Sequence, residues 1–514
     1  MRQFTIVGAV LVAAIVSPTD SRGQVPVAVR QAASGIKRAD LERQIGVLAA
    51  DSMLGRLTPS PELDQAATYI AHALSTSRVR PFGDGGSYLQ HVRFDVIRAD
   101  SRCSFAALDG ARFAMPNDVR LPTRGASSTD PVAAQGPLVY VQHGWVNKAL
   151  GIDPYAGLDL RGKIAVVTGY PGGPQRLQAD RARGGQFVLP WNAAAERGAV
   201  AQVEISGFAT WQVTPDRPRN RQGSDVTVKA EWIQQATPSP LPRVAVSSRL
   251  ADAIFTGERW SAMELIAAAT RGDSIASFAL GPARELRFEV CRPARTDSTQ
   301  NVVAMVEGSD PLLKHEYIVM GAHYDGQGLQ FPPVNGDSVL NSANDNASGA
   351  VGLMAIARAF ASGPRPRRSI IFTWFAGEET QISGADFFVA RPPVPLRSIK
   401  VMVNLDMIGP DKDGTVGLGF SNTALRDLAL TTNKAYASVA FVGPVDGRLK
   451  GGSDRDAFEG KQIPYLAFEA DGGDDKHAVT DDVSRIDYAG FERIVRSVYV
   501  IAWRVANEQV LRVR

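Results

Sequence analysis

From residue 301 onward, short apolar runs alternate with longer amphipathic stretches. NVVAMVEG (301–308), EYIVM (316–320), SIIFTWFA (369–376), KVMVN (400–404), TVGLGF (415–420) and IPYLAFE (463–469) are strand-length and rich in β-branched and aromatic residues. Between them, ASGAVGLMAIARAFA (347–361), SGADFFVA (383–390), ALRDLALTTNKAYAS (424–438) and DYAGFERIVRSVYVIAWRVANE (487–508) place apolar residues at helical spacing. Strands alternating with helices predict an α/β fold with a doubly wound, mostly parallel sheet. In such sheets chemistry collects outside the carboxyl ends of the strands.

The earlier part of the chain has a different rhythm. Residues 24–36 mix polar and apolar positions and are expected to be a flexible lead-in. Asp40 is positioned to cap a helix over DLERQIGVLAADSML (40–54), and LDQAATYIAHALS (63–75) predicts a second amphipathic helix with His72 on its surface. From about 100 to 290 the pattern becomes β-rich: GPLVYVQHG (136–144), GKIAVVTGY (162–170), GAVAQVEIS (198–206) and RVAVSS (243–248), with NAAAERGA (192–199) the one clear helix. None of these runs ends on a cluster of metal-binding side chains, and the lone His143 is expected to be structural. The expected organisation is an N-terminal part of the main domain over 37–105, an inserted β-rich domain over 106–290 and the main domain over 291–510. The basic run PRPRR (364–368) is expected to be a solvated turn.

Composition narrows the function. A chain of 514 residues with 44% hydrophobic and 21% charged residues is long enough for two domains, and a net charge of +3 gives no reason to expect a nucleic-acid partner. Residues 1–23 have a secretory pattern: Arg2, an apolar run over Phe4–Val16 and Ser21-Arg22-Gly23 as a small-x-small cleavage signal, with a mature start near Gln24. The run is too short to anchor in a bilayer, no cysteine follows it to carry lipid, and no later segment is long and apolar enough to span one. A secreted or periplasmic location without a stable membrane anchor is therefore expected. Cys103 and Cys291 lie in strand-like runs that bracket the insertion; they are either a disulfide or two buried thiols. Two cysteines cannot form a zinc–thiolate site, so any metal must be held by nitrogen and oxygen.

The candidate ligands stand where the apolar runs stop. EYIVM leads to His323, SIIFTWFA to Glu378 and Glu379, and KVMVN to Asp406; Asp345 lies in the loop NSANDNASG and His477 in the last long loop. Each has a plainer reading alone: a solvated turn for the glutamates, a helix N-cap for Asp345, an arginine partner for Asp406. Together they are harder to dismiss, because unpaired charge after strongly apolar strands is costly and a metal removes that cost. The expected arrangement is two zinc ions per chain, one held by His323 and Asp406, the other by Glu379 and His477, with Asp345 bridging both. Glu378 adjoins a ligand without being one, which suits a general base that takes a proton from a metal-bound hydroxide's parent water and passes it to a leaving amine. Asp325, two residues after His323, is placed to orient its ring.

The segments GAHYDGQG, NSANDNASGAVGLMAIARAF, FTWFAGEETQISGADFF, VNLDMIG and HAVTDD resemble the zinc aminopeptidases of peptidase family M28, over about 296–510. LAADSMLGRLTPSPELDQAATYIAHAL and FGDGGSYLQHV resemble that family's opening helices. The resemblance implies a zinc-peptidase (phosphorylase/hydrolase-like) fold, two Zn2+, peptide substrates with a free N-terminus, the same ligands and base, and a cis peptide after Asp345. GPLVYVQHG, DLRGKIAVVTGYP and NAAAERGAVAQVEI resemble a protease-associated (PA) domain inserted in such peptidases. Arg455 in GGSDRDAF stands where many relatives have His, so specificity does not transfer there. Rival readings are a carboxypeptidase or dipeptidase, for which Arg455 or Lys450 would supply a cation, a glutaminyl cyclase, which generally uses one zinc, and a non-catalytic receptor-like protein, which usually lacks ligands.

Overall fold

The computed structural model describes residues 25–122, 132–168, 185–205, 226–229, 239–273, 275–282, 284–380, 383–409, 415–443, 452–469 and 473–511, with positions 179, 447 and 449. The signal expected over residues 1–23, and Lys450, lie outside the described residues.

Seven strands carry the larger sheet: β1 (Leu89–Arg98), β2 (Ala294–Val306), β3 (Tyr317–His323), β4 (Ser369–Phe375), β5 (Ile399–Asp406), β6 (Val416–Phe420) and β7 (Tyr465–Glu469). Their spatial order is β6-β7-β5-β3-β4-β2-β1, extended by the short strands Phe441–Val442 beyond β6 and Val226–Lys229 beyond β1. The four central strands, β7, β5, β3 and β4, are mutually parallel. Antiparallel pairing begins on both sides of them, at β6 and at β2. The sheet is thus mixed, with parallel pairing at its centre and again where Phe441–Val442 joins β6. Alternate residues serve opposite faces. Val302, Ala304, Ile318 and Met320 enter one core, and Val303, Met305 and Val319 enter the other. Helices cover both faces, which is the expected α/β class.

Helix α1 (Gly349–Ser362) lies in the first of these cores with α2 (Tyr488–Asn507) against it. Gly349 is required at the start of α1. A Cβ there would lie 2.2 Å from Asn346 Oδ1 and 2.5 Å from the Leu405 carbonyl. This close approach brings the loop containing Asp345 against the end of β5.

A second sheet of nine strands is built from residues between 105 and 290. Val132–Tyr140, Ile164–Thr168, Ala201–Ile205 and Arg243–Val246 run parallel at its centre, and apolar cores lie on both faces. Val226–Lys229 leaves this region to pair with β1 of the larger sheet. Cys103 and Cys291 form a disulfide with Cα atoms 6.0 Å apart. Among the described residues, no helix is long and apolar enough to cross a membrane.

Several local expectations need correction. Residues Val27–Ser34 form a helix rather than a flexible lead-in, because Val29 and Ala33, four apart, are both buried and the helix packs on α2. The helix at 38–48 has Lys37 at its N-cap, with Asp40 in the first turn bonding Arg43 and Arg358 instead of capping. Two helices in the β-rich region, Ser248–Phe255 and Ala262–Arg271, are additional to 190–196; the second opens on a Ser261–Glu264 capping box, which is visible in the sequence. The run 364–368 is not simply solvated. Arg367 pairs with Asp310 at 2.6 Å, and Arg368 is only 2% exposed and pairs with Glu316 at 2.8 Å.

Candidate metal centre

The sheet brings the five expected ligands to one place. His323 ends β3 and Asp406 ends β5, on adjacent parallel strands. Glu378 and Glu379 follow β4, next to β3 on its other side. Asp345 enters from the turn Ala343–Ser348 that precedes α1, and His477 from the loop before α2. His323 Nε2 lies 3.4 Å from Asp345 Oδ1 and 3.3 Å from Asp406 Oδ1. His477 Nε2 lies 3.1 Å from Asp345 Oδ2 and 3.3 Å from Glu379 Oε1. These are two triads, His323/Asp345/Asp406 and Asp345/Glu379/His477, each with donor atoms within 4.8 Å of one another. Asp345 gives one oxygen to each. The Asp345–Asn346 peptide is cis, as the family resemblance implies.

The electrostatics of this cluster call for added positive charge. Burial lowers the affinity of His323 for a proton, but Asp406 and the other carboxylates more than offset it, and the ring is held well above its usual range. The hydrogen bonds of Asp345 and Glu379 raise His477 to about 9. Burial, then the Asp345 charge, pushes Glu379 up to about 7. Burial also opposes ionisation of Asp345, but the two histidines hold it below the usual carboxylate range. Asp345 Oδ2 and Glu379 Oε1 are buried without a well-directed hydrogen bond. Orphaned oxygens facing imidazole nitrogens, with no thiolate present, are a donor set that fits zinc.

The surrounding residues fix these groups. Asp325 is fully buried, with Oδ1 3.5 Å from His323 Nδ1, and it accepts the backbone N–H groups of Glu378 (3.2 Å) and Glu379 (3.4 Å) and the Thr58 hydroxyl (3.0 Å). It therefore ties the ring of one candidate ligand, His323, to the backbone of another, Glu379. Asp406 Oδ2 accepts the Ser453 hydroxyl at 2.8 Å, and Ser453 in turn accepts from Asn404 at 2.8 Å. The Gln327 amide donates to Glu379. Glu378 is partly buried. Burial first, then Asp406, Glu379 and Asp454, push its carboxyl well above the usual range. His143 belongs to neither triad, and its Nδ1 accepts the Trp145 N–H at 3.0 Å. His72 is exposed.

Four contributors escaped the sequence reading. Arg56 is completely buried beside the cluster, Asp481 holds the backbone of Asn344 and Asp345, Ser453 touches Asp406, and Glu469 ends β7 in register with Asp406. Glu469 carries the same signal as the others, an apolar strand ending on a carboxylate. Burial and then Asp406 raise it to about 8, and it pairs with Arg455 at 2.7 Å. Arg455 is only 3% exposed, so its guanidinium is engaged inside the protein.

Comparison with known proteins agrees with this geometry. The profile of peptidase family M28 matches residues 301–502. A probable zinc metalloprotease of Pyrenophora teres f. teres is 36% identical over 139 residues, 26% of this chain and 29% of that protein. A probable leucine aminopeptidase of Trichophyton verrucosum is 26% identical over 200 residues, 37% of this chain and 52% of that protein. The matches thus span from under a third to about half the length of these relatives. Among solved structures, the aminopeptidase from Aneurinibacillus sp. strain AM-1 superposes with a TM-score of 0.57 at 17% identity, covering 95% of this chain and 98% of the other. BSAP, a zinc aminopeptidase from Bacillus subtilis, gives 0.53 at 16% identity, covering 92% and 96%. These likenesses establish a shared fold. The profile match covers the strands and loops that bear the two triads.

Proposed function

We propose that the chain is a dinuclear zinc aminopeptidase that removes residues from the free N-termini of peptides. The observation that carries this reading is the sharing of Asp345, one oxygen to each triad. His323 and Asp406 would hold one ion, and Glu379 and His477 the other. Zinc bound there would polarise the scissile carbonyl and make water nucleophilic at neutral pH. Glu378 is the proton carrier: it adjoins Glu379, its backbone is fixed by Asp325, and its burial among carboxylates favours the protonated form once it has accepted a proton. It then delivers that proton to the departing amine. Asp325 keeps His323 in the orientation that turns Nε2 towards Asp345 and Asp406.

Aminopeptidase action rather than carboxypeptidase action is favoured by Arg455. Of the two candidate cations for a C-terminal carboxylate, Arg455 is buried against Glu469, and Lys450 lies outside the described residues. The names of the related proteins point the same way. Export directed by residues 1–23 belongs to the same proposal. The test is zinc analysis of the purified chain, together with hydrolysis of matched peptides with free and acetylated N-termini. Two zincs per chain and cleavage only of the free peptides are expected. Equal cleavage of the acetylated peptides would refute the N-terminal specificity, and absence of zinc binding would refute the reading as a whole.

A further inference from the structure

We infer that Arg56 and Asp481 are positioning residues that clamp the loop of residues 341–345 from opposite sides and so hold Asp345 between the two triads. The inference rests on the metal-centre reading above. Arg56 is fully buried, and among the described residues its guanidinium hydrogen-bonds carbonyl oxygens. It donates to Tyr324 (3.1 Å), Asn341 (3.0 Å), Ser342 (2.9 Å) and Leu48. Asp481 does the converse. Its carboxylate accepts the N–H groups of Asn344 (2.7 Å) and Asp345 (2.9 Å), and its carbonyl accepts that of Ala343 (3.2 Å).

Each residue from 341 to 345 is therefore bonded to one of the two. The cation holds the carbonyls of the first two residues, and the anion-bearing residue holds the N–H groups of the last three. Charge-assisted bonds of this kind are the stronger ones and the more costly to lose in a buried site. They also stabilise a backbone that does not favour itself, since Ser342 adopts a left-handed φ of 52° without being glycine. The clamp reaches both triads. Arg56 bonds the carbonyl next to His323, and its own carbonyl accepts the Gly326 N–H at 3.2 Å. Asp481 lies four residues after His477 in the same loop. A shared ligand must satisfy two geometries at once, and small displacements of it weaken both.

The test compares full-length Asp481→Asn, Arg56→Lys, Arg56→Met and the double variant Arg56→Lys/Asp481→Asn with the unaltered protein. Zinc affinity is read by competition with a chromogenic chelator, and stability by thermal unfolding of the metal-free forms. Arg368→Met is the control: it removes another buried arginine, paired with Glu316 at the opposite end of β4. Asp481→Asn and Arg56→Lys are expected to remain folded and to bind zinc about 10- to 100-fold more weakly. Arg56→Met should lose more than Arg56→Lys, and the double variant less than the product of the single losses, because both residues act on one loop. Arg368→Met should unfold at lower temperature with unchanged zinc affinity. Folded Asp481→Asn and Arg56→Lys proteins that bind zinc as tightly as the unaltered chain would overturn the clamp. Failure of the unaltered chain to bind zinc would instead overturn the metal-centre reading. If Arg56→Met does not fold, Asp481→Asn and Arg56→Lys decide.

Discussion

Replacing Asp325 should weaken the metal centre without removing a ligand. Its carboxylate receives two backbone N–H groups, at 3.2 and 3.4 Å, and the Thr58 hydroxyl, and it faces His323 Nδ1 at 3.5 Å. In Asp325→Ala both N–H groups lose their acceptor. A buried unsatisfied donor costs about 1–3 kcal/mol. The 3.4 Å bond lies beyond the usual range and counts for less, so a stability loss of about 2–3 kcal/mol is expected from the pair. The ring of His323 also loses the group that orients it, and comparable losses behind metal ligands reduce affinity by about 10- to 100-fold. Asp325→Asn is close to isosteric. With its carbonyl oxygen towards His323 and Glu378, it forfeits mainly the longer Glu379 bond and the negative charge, so stability should fall by about 1 kcal/mol and zinc affinity by about tenfold. Chemical denaturation of the metal-free proteins measures the first quantity, and chelator competition the second. The order unaltered > Asn > Ala should appear in both. An Asp325→Ala protein with unaltered stability and unaltered zinc affinity would refute the role assigned to this carboxylate.

Glu378→Gln should keep both zincs and most substrate binding while kcat falls by about 100-fold or more, and stoichiometric metal analysis beside steady-state kinetics checks the split. Zinc binding should release protons at pH 7. His477 is raised from 6.5 to about 9 in the metal-free protein, whereas a ligand imidazole must be neutral, so affinity should climb as pH rises towards about 9; calorimetry in buffers of different ionisation enthalpy reads the release. The same shift has the opposite sign for the metal-free fold. A group raised on folding contributes fully below its unfolded value and loses that contribution as pH passes through about 9, so the metal-free protein should lose stability over that window, measured by its unfolding temperature. Gly55→Ala should destabilise by about 2 kcal/mol or more, seen as a lower melting temperature. Its φ is 70°, and a Cβ would lie 2.3 Å from the Gly328 carbonyl and 2.6 Å from that of Leu340.

The candidate ligands were legible in the sequence for a physical reason. An apolar strand that ends on a charge breaks its own pattern, and His323, Glu378, Glu379 and Asp406 each do so. The order of strands was less legible, because pairing direction depends on which edge the chain returns to. β2 reads as an ordinary strand, yet it runs against the parallel centre, and β1 pairs antiparallel with it. The helices at 248–255 and 262–271 were hidden by short strands on either side, although Ser261 and Glu264 spelled a helix start. The supporting residues were the least legible. Arg56 and Asp481 act on peptide groups, which every residue has, so nothing in the side chains of Asn341–Asp345 announces their partners. An arginine in a Gly-Arg-Leu-Thr turn looks solvated until three separate segments close over it. Burial then leaves its pKa lowered to about 10, with Asp325, Asp481 and Asp345 as the charges that oppose the shift. The sequence pattern thus points to groups that would meet a metal or substrate, because those groups stand against an apolar background. It is silent on groups whose task is to hold backbone in place. For that reason the zinc affinity of the Arg56 and Asp481 variants, rather than loss of activity on replacing a ligand, distinguishes a centre built only from its ligands from one built from the loop beneath them.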